Sequence, residues 1–359
     1  MKKSLIALAA LGAFAGAASA QSSVTMFGVV DLNVMSVDNA ERTYSMGTDG
    51  MASSRLGFRG TEDLGGGLKA GFWLEMGIAP DTGKSAGRWG DGGADNQLFF
   101  NRRSTVSLSN QWGELRLGRD YTATFWNWTV FDPFGTNGVG AATNLALSAD
   151  LQVALAGTTY ATLVRANNMV QYILPNGVFG PGLYGQIQAA AGEGATGNKY
   201  YGGRIGYAAG AFDIAGSYGL TDCLDTMCTI DLTAWNIAGS WNFGFMKLSG
   251  FYGSMEASGP ANSATRDNWY VGLSAPFGQW NFKASYGGTN GKNLLDGDDA
   301  SQWAIGADYN LSKRTALYGT WSSINNDGRS RFAVSGQSAI PAAGSFNSNG
   351  IQVGVRHTF

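Results

Sequence analysis

Along residues 24–34 the even positions are apolar or glycine (Val24, Met26, Gly28, Val30, Leu32, Val34), while Thr25, Asp31 and Asn33 between them are polar. Alternation with a period of two marks a strand with one apolar face and one wet face. The dyad returns at Leu56 and Phe58 against Arg55 and Arg59, over 68–76 against Lys69 and Glu75, and over 212–220 against Asp213 and Ser217. It recurs over 235–241, 246–252, 269–273, 280–286 and 303–309. Near the C-terminus Ile351, Val353, Val355 and Phe359 share one face, and Gln352, Gly354, Arg356 and Thr358 the other.

The connections alternate in length. Short turns at 62–66, 110–113, 208–210, 242–244, 277–279 and 311–313 are interleaved with longer polar segments at 38–51, 80–95, 222–229, 256–266 and 326–347. Short turns at one end and long loops at the other distinguish a membrane barrel from a soluble sandwich. The predicted fold is all-β, a transmembrane antiparallel barrel of about 16 strands of roughly 10 residues each. A final strand ending on Phe359 is expected to close the sheet against the first strand and remove both edges.

Composition agrees and adds a compartment. Lys2 and Lys3 precede an apolar run over 5–18 that ends in Ala18-Ser19-Ala20, the pattern of a cleaved signal peptide over 1–20. The mature chain, expected to be one barrel domain over 21–359, carries 22 basic and 26 acidic residues, a net charge of about −4. No other apolar run reaches helical-span length, and mean hydropathy is only −0.09. The 54 glycines make helices unexpected, while 11 Trp, 14 Tyr and 19 Phe suit the aromatic girdles of a barrel. Cys223 and Cys228, in an exported chain, are expected to form a small loop disulfide.

Candidate chemistry is sparse. The single histidine, His357, sits in the last strand, so histidine-based nucleophilic or metal sites are hard to build; no metal and no cofactor are expected. Gly65-Gly66-Gly67 reads as a tight turn, not a phosphate cradle. What stands out is charge on the wet face: Arg55, Arg59, Lys69, Arg116, Arg204, Lys247 and Lys283, with Arg102 or Arg103 and Arg165. The inward acids are fewer: Asp31, Glu75, Glu114, Asp213 and Asp308. A charge facing lipid costs on the order of 2–4 kcal/mol, so these side chains belong in the lumen. The segment over about 120–158 carries Tyr121, Phe125, Trp126, Trp128, Phe131 and Phe134 with a turn at Asp132-Pro133-Phe134-Gly135, and is expected to fold inward against the wall. Three other functions remain open on these residues: a substrate-selective channel with Trp126, Trp128 and Phe131 lining an aromatic constriction, an outer-membrane enzyme, and an adhesin barrel.

Three stretches resemble the Gram-negative trimeric general porins, particularly the β-proteobacterial branch. They are Ser23-Val24-Thr25-Met26-Phe27-Gly28-Val29-Val30-Asp31, then Ser54-Arg55-Leu56-Gly57-Phe58-Arg59-Gly60-Thr61-Glu62-Asp63-Leu64-Gly65, and Gly113-Glu114-Leu115-Arg116-Leu117-Gly118-Arg119; the terminal Phe359 also matches. The resemblance implies a sixteen-stranded barrel, a homotrimer and a third loop folded into an eyelet facing a ladder of wall arginines. Arg55 matches the arginine of the family's Arg-Leu-Gly-Phe motif, Arg102 the fourth-strand arginine, and Arg165 more loosely the sixth-strand one. The enteric Pro-Glu-Phe-Gly-Gly turn is replaced by Asp132-Pro133-Phe134-Gly135-Thr136, leaving Asp132 as the acid there and favouring anions. The constriction is therefore expected to use Arg55, Arg59, Arg102, Arg103, Arg116, Arg165 and Asp132. The implied activity is passive diffusion of ions and small hydrophilic solutes through the outer membrane, with lipid and lipopolysaccharide as surroundings and no nucleic acid as partner.

Overall fold

A computed structural model describes residues 23–85, 99–146, 162–175, 177–178, 180–192, 199–222, 230–259, 262–334 and 347–359. The signal segment over 1–20 and the Cys223–Cys228 pair lie outside the described residues. The strands of the first half are β1 (Ser23–Asp38), β2 (Arg42–Thr48), β3 (Arg55–Gly65), β4 (Leu68–Ala79), β5 (Lys84–Ser85), β6 (Arg103–Asn110), β7 (Gly113–Tyr121), β8 (Arg165–Leu174) and β9 (Leu183–Ala190). The second half holds β10 (Lys199–Ala209), β11 (Phe212–Asp222), β12 (Asp231–Asn242), β13 (Lys247–Ser258), β14 (Ser263–Phe277), β15 (Trp280–Asn293), β16 (Ala300–Asn310), β17 (Thr315–Asn326) and β18 (Ser348–Thr358).

Each long strand pairs antiparallel with its neighbours in the chain, and β1 pairs with β18 from Val29 to Asp38, which closes the barrel. On its other edge β1 pairs with β3 over Ser23–Val29 and with β2 over Leu32–Asp38, so β2 continues the row of β3 toward the loop end. The two-residue β5 only extends the edge of β4. Setting β2 and β5 aside, the described residues form a closed barrel of 16 strands. Closure matters because in a lipid core every backbone N–H and C=O must be paired within the protein. At the seam Gly28 and Phe359 exchange both backbone hydrogen bonds, each 3.1 Å, and the Phe359 ring covers Gly28, where any Cβ would collide with it.

The apolar face of the dyad is the outer wall. Val34, Val106, Ile187, Ile205, Ile237, Ile305 and Val353 are all exposed on it. Aromatic residues edge this band in two rows, with Trp235 and Trp241 on β12, Trp280 and Tyr286 on β15, and Trp303 and Tyr309 on β16. The six-residue spacing places the rows roughly 20 Å apart along a strand, the scale of the lipid-facing band. Within a row the rings touch across strands: Trp280 and Tyr309 lie 4.7 Å apart, Tyr286 and Trp303 4.1 Å. His357, exposed on β18, lies 2.9 Å from Thr315 through Nδ1. Gly65, Gly66 and Gly67 all adopt positive φ, at 85°, 61° and 82°, which makes the β3–β4 connection a turn only glycines enter without strain.

Three expectations are corrected. The loop anticipated over 256–266 is mostly strand: β13 continues to Ser258, β14 begins at Ser263, and only 259–262 connect them. The segment is polar because these strands rise into the loop region, where Thr265, Arg266, Asp267 and Asn268 are buried by protein, so polarity does not end the strand there. The 38–51 segment likewise contains β2. Finally, helix is present: α1 (Ala123–Phe131) lies in the long connection after β7. No described helix is long and apolar enough to cross a membrane.

Candidate pore constriction

After β7 the chain turns into the lumen. The sequence of α1, Ala-Thr-Phe-Trp-Asn-Trp-Thr-Val-Phe, is rich in aromatic and β-branched residues, which are weak helix formers, and nine residues are too few for a helix to persist alone. The wall supplies what the helix lacks. Gln188 on β9 accepts the Ala123 N–H at 2.7 Å and donates to the Tyr121 carbonyl at 2.8 Å, serving as a cap from outside the helix. Asn127, fully buried, donates to the Ala215 carbonyl at 3.1 Å and to Asn236 Oδ1 at 2.9 Å, and accepts from Arg204 Nε at 2.5 Å. Trp128 packs at a tilt against Phe251, with ring centroids 3.9 Å apart, and nears Tyr270 at 5.9 Å.

Beyond the helix the loop is folded around one carboxylate. Asp132 accepts the backbone N–H groups of Phe134 at 2.9 Å and of Thr136 and Ala142 at 3.0 Å each. Its burial pushes this carboxyl up from the ordinary aspartate range, against the pull of those three amides. The loop then reaches the seam. Gln352 on β18 accepts the Val139 N–H at 3.2 Å and donates to the Gly50 carbonyl at 2.9 Å, while Gln302 on β16 donates to the Val139 carbonyl at 3.1 Å. Ser53 bonds Asn137 at 2.8 Å. The loop thus lies against the wall from β9 to β18, and the β3–β8 wall faces it across the lumen.

That bare wall carries the arginines. Tyr121, at the end of β7, accepts from Arg102 Nη2 at 3.2 Å and from Arg165 Nη2 at 3.1 Å, and the Arg165 guanidinium also lies over its ring at 4.6 Å. Glu75 on β4 holds Arg102 Nε at 2.6 Å, lies 3.9 Å from Arg55 Nε, and accepts the Trp73 indole N–H at 3.1 Å. Arg55 donates to the Ser53 carbonyl at 3.2 Å. Three guanidinium groups therefore surround one phenol and one carboxylate.

The remaining arginines form a second group nearer the short turns. Arg59 lies over Phe27 and Trp73, and Arg103 over the same Trp73 ring. Arg116 bonds Glu114 at 2.9 Å and Asp120 at 2.6 Å. The structure thus divides the seven predicted residues: Arg55, Arg102 and Arg165 gather around Glu75 and Tyr121, Arg59 and Arg116 lie apart from them, Arg103 stands opposite Glu75 but turns its guanidinium onto Trp73, and Asp132 is spent inside the loop. Trp128 and Phe131, read as lining an aromatic constriction, are buried between loop and wall, and among the three only Trp126 is partly exposed. The helix must bury its apolar side to form at all, which is why those rings leave the lumen. Sequence reasoning centred on charge missed the amides Gln188, Asn127, Gln302 and Gln352; the available signal was their parity, since Gln188, Gln302 and Gln352 lie on lumen-facing positions of strands.

Comparison with known proteins completes the picture. A model of the Gram-negative porin family matches residues 7–329. The chain belongs to that family. This porin is 39% identical to outer membrane porin protein 32 of Delftia acidovorans, over 100% of both chains. It is 30% identical to an outer membrane porin protein of Bordetella pertussis, over 90% of this chain and 86% of that one. Among solved structures, the anion-selective porin from Comamonas acidovorans matches with a TM-score of 0.78 and 34% identity, covering 94% of this chain and 100% of that one. An outer membrane protein of Vibrio cholerae, at 12% identity, TM-score 0.67 and coverage of 95% and 100%, shares the barrel fold. The porin is a multi-pass outer-membrane channel.

Proposed function

We propose that this porin is an anion-preferring channel for passive diffusion of small hydrophilic solutes, with Arg55, Arg102 and Arg165 as its selectivity residues. The observation that carries the reading is the excess of guanidinium over carboxylate on this wall: Arg55 and Arg102 share Glu75, at 3.9 and 2.6 Å, while Asp132, the acid of the facing turn, bonds the loop's own backbone. A unit charge about 4 Å away is worth roughly 1 kcal/mol in water and about 4 kcal/mol at a protein surface, so an excess of positive charge selects anions by tenfold or more. The name of the Comamonas relative, an anion-selective porin, supports the same sign. Reversal potential across a potassium chloride gradient tests it: the porin is expected on the anion side, and Arg55→Ala combined with Arg102→Ala moves the potential toward zero. A cation-selective channel sinks the reading. The fold and family favour a channel over an enzyme.

The assembly is proposed from the family resemblance: residues 1–20 are removed as a signal peptide, the domain over 21–359 forms a homotrimer, and its outer band contacts lipid and lipopolysaccharide. Cross-linking of the detergent-solubilised protein tests the trimer, and the N-terminal sequence of the mature protein, expected to start at Gln21, tests the cleavage.

A further inference from the structure

We propose that the lumen holds a second anion subsite for small oxyanions, beside the gap on the side of the short turns and built on Arg59, Trp73 and Arg103. The proposal rests on the anion-channel reading and extends it along the wall, with Glu75, which accepts the Trp73 indole N–H at 3.1 Å, as the link between the two places. Arg55 and Arg59 share the lumen face of β3; four residues separate them, or roughly 13 Å along the strand, toward the short turns. Register places Arg59 opposite Trp73 on β4, and Trp73 opposite Thr105 on β6.

The Arg59 guanidinium lies 5.2 Å from the Phe27 centroid and 5.1 Å from that of Trp73, while Arg103 reaches the same indole at 4.5 Å. Phe27 and Trp73 contact each other edge to face, at 5.0 Å, which fixes the platform. An aromatic face occupies the flat side of a guanidinium and leaves its N–H edge able to take two oxygens of an oxyanion at once. Two guanidinium groups on one ring, from strands on opposite sides of it, make such a pair.

Charge at this level favours an anion. Glu114 and Asp120 are both engaged by Arg116, at 2.9 and 2.6 Å, and Asp120 also accepts from Gln171 at 3.0 Å. Arg103 lies 3.6 Å from Asp120 and donates to Thr105 Oγ1 at 3.1 Å. Arg59 is exposed and has no carboxylate within 4.0 Å among the described residues. These groups open on a recess of about 380 Å³ shared with Thr61 and Thr105, whose hydroxyls can donate to further oxygens, and with Glu114, which is held by Arg116. A dianionic oxyanion leaving the gap meets this site next, bound firmly enough to be drawn on and weakly enough to leave.

Inorganic phosphate, added to either side of single porin channels in a planar bilayer carrying chloride current, is the probe. The wild type is expected to show saturable block, and Arg59→Gln to raise the half-blocking concentration by about tenfold, the scale of one charge-assisted contact at a partly exposed site. Arg59→Lys keeps the charge without the fork and falls between. Trp73→Leu, which removes the platform, also weakens block and serves where Arg59→Gln fails to insert. The chloride reversal potential stays on the anion side in all three variants, because Arg55, Arg102 and Arg165 are intact. Absence of phosphate block in the wild type, or block unchanged in Arg59→Gln but lost in Arg55→Gln, overturns the second subsite. A wild-type channel that selects cations overturns the underlying reading instead, which the reversal potential registers separately.

Discussion

Tyr121 is the residue on which the proposed selectivity depends most indirectly. It carries no formal charge, yet its hydroxyl receives both Arg102 and Arg165, holding two like charges at one oxygen. Replacing it with Phe removes the shared acceptor and leaves the arginines free to separate. Tyr121→Phe is therefore expected to reduce the anion-to-cation permeability ratio several-fold while leaving the charge count of the gap unaltered. An unchanged reversal potential in this variant would show that the tyrosine only packs. At the seam, Gly28 is confined by the Phe359 ring above it. Gly28→Ala forces that ring aside, at a cost of about 1–3 kcal/mol, and a lower thermal unfolding midpoint in detergent checks it. Arg55 and Arg102 could be recognised as lumen residues from parity and motif, but Tyr121 was read only as one aromatic of a loop, because nothing local distinguishes a hydroxyl that organises arginines.

At the scale of the element, the inward loop is a weak helix held by a strong frame. Three amide side chains, Gln188, Gln302 and Gln352, reach it from β9, β16 and β18. Gln352→Ala orphans both the Val139 N–H and the Gly50 carbonyl, each worth about 1–3 kcal/mol when buried without a partner. Its expected outcome is greater open-channel noise and faster proteolysis of the loop, with the barrel still inserted. Trp128→Ala strips the main apolar anchor of α1, a loss on the order of 3–5 kcal/mol, and is expected to raise single-channel conductance as the loop leaves the wall. Conductance equal to the wild type would mean that α1 does not narrow the pore. The inward fold of this segment could be expected from six aromatics in a connection; its helix could not, because the residues of α1 disfavour helix and only the wall reverses that preference.

For the whole molecule, the proposed selectivity comes from an electrostatic field set mainly by Arg55, Arg102 and Arg165 on one wall. The field is screened by salt: the Debye length falls from about 10 Å at 0.1 M to about 3 Å at 1 M. The anion preference measured by reversal potential is therefore expected to shrink markedly across that range, while a preference set by pore width alone would not move.

The sequence by itself determined the barrel class and the faces of the strands that cross the membrane, since a period of two is a local property that each segment displays without reference to any other; where strands rise into the loop region, as over 256–266, it did not fix their ends. It also placed the arginines in the lumen, because a charge against lipid is too costly to tolerate. Tertiary structure alone decided which of them meet. Arg102 and Glu75 are 27 residues apart, and Gln352 and Gly50 302 apart, so their contacts depend on strand register and on the path of the inward loop. The same long-range folding turned Asp132 into its own loop, buried Trp128 and Phe131, and drew Arg59 and Arg103 onto one indole ring, since a hydrogen bond or a packed ring is satisfied by whatever partner the closed barrel brings to it.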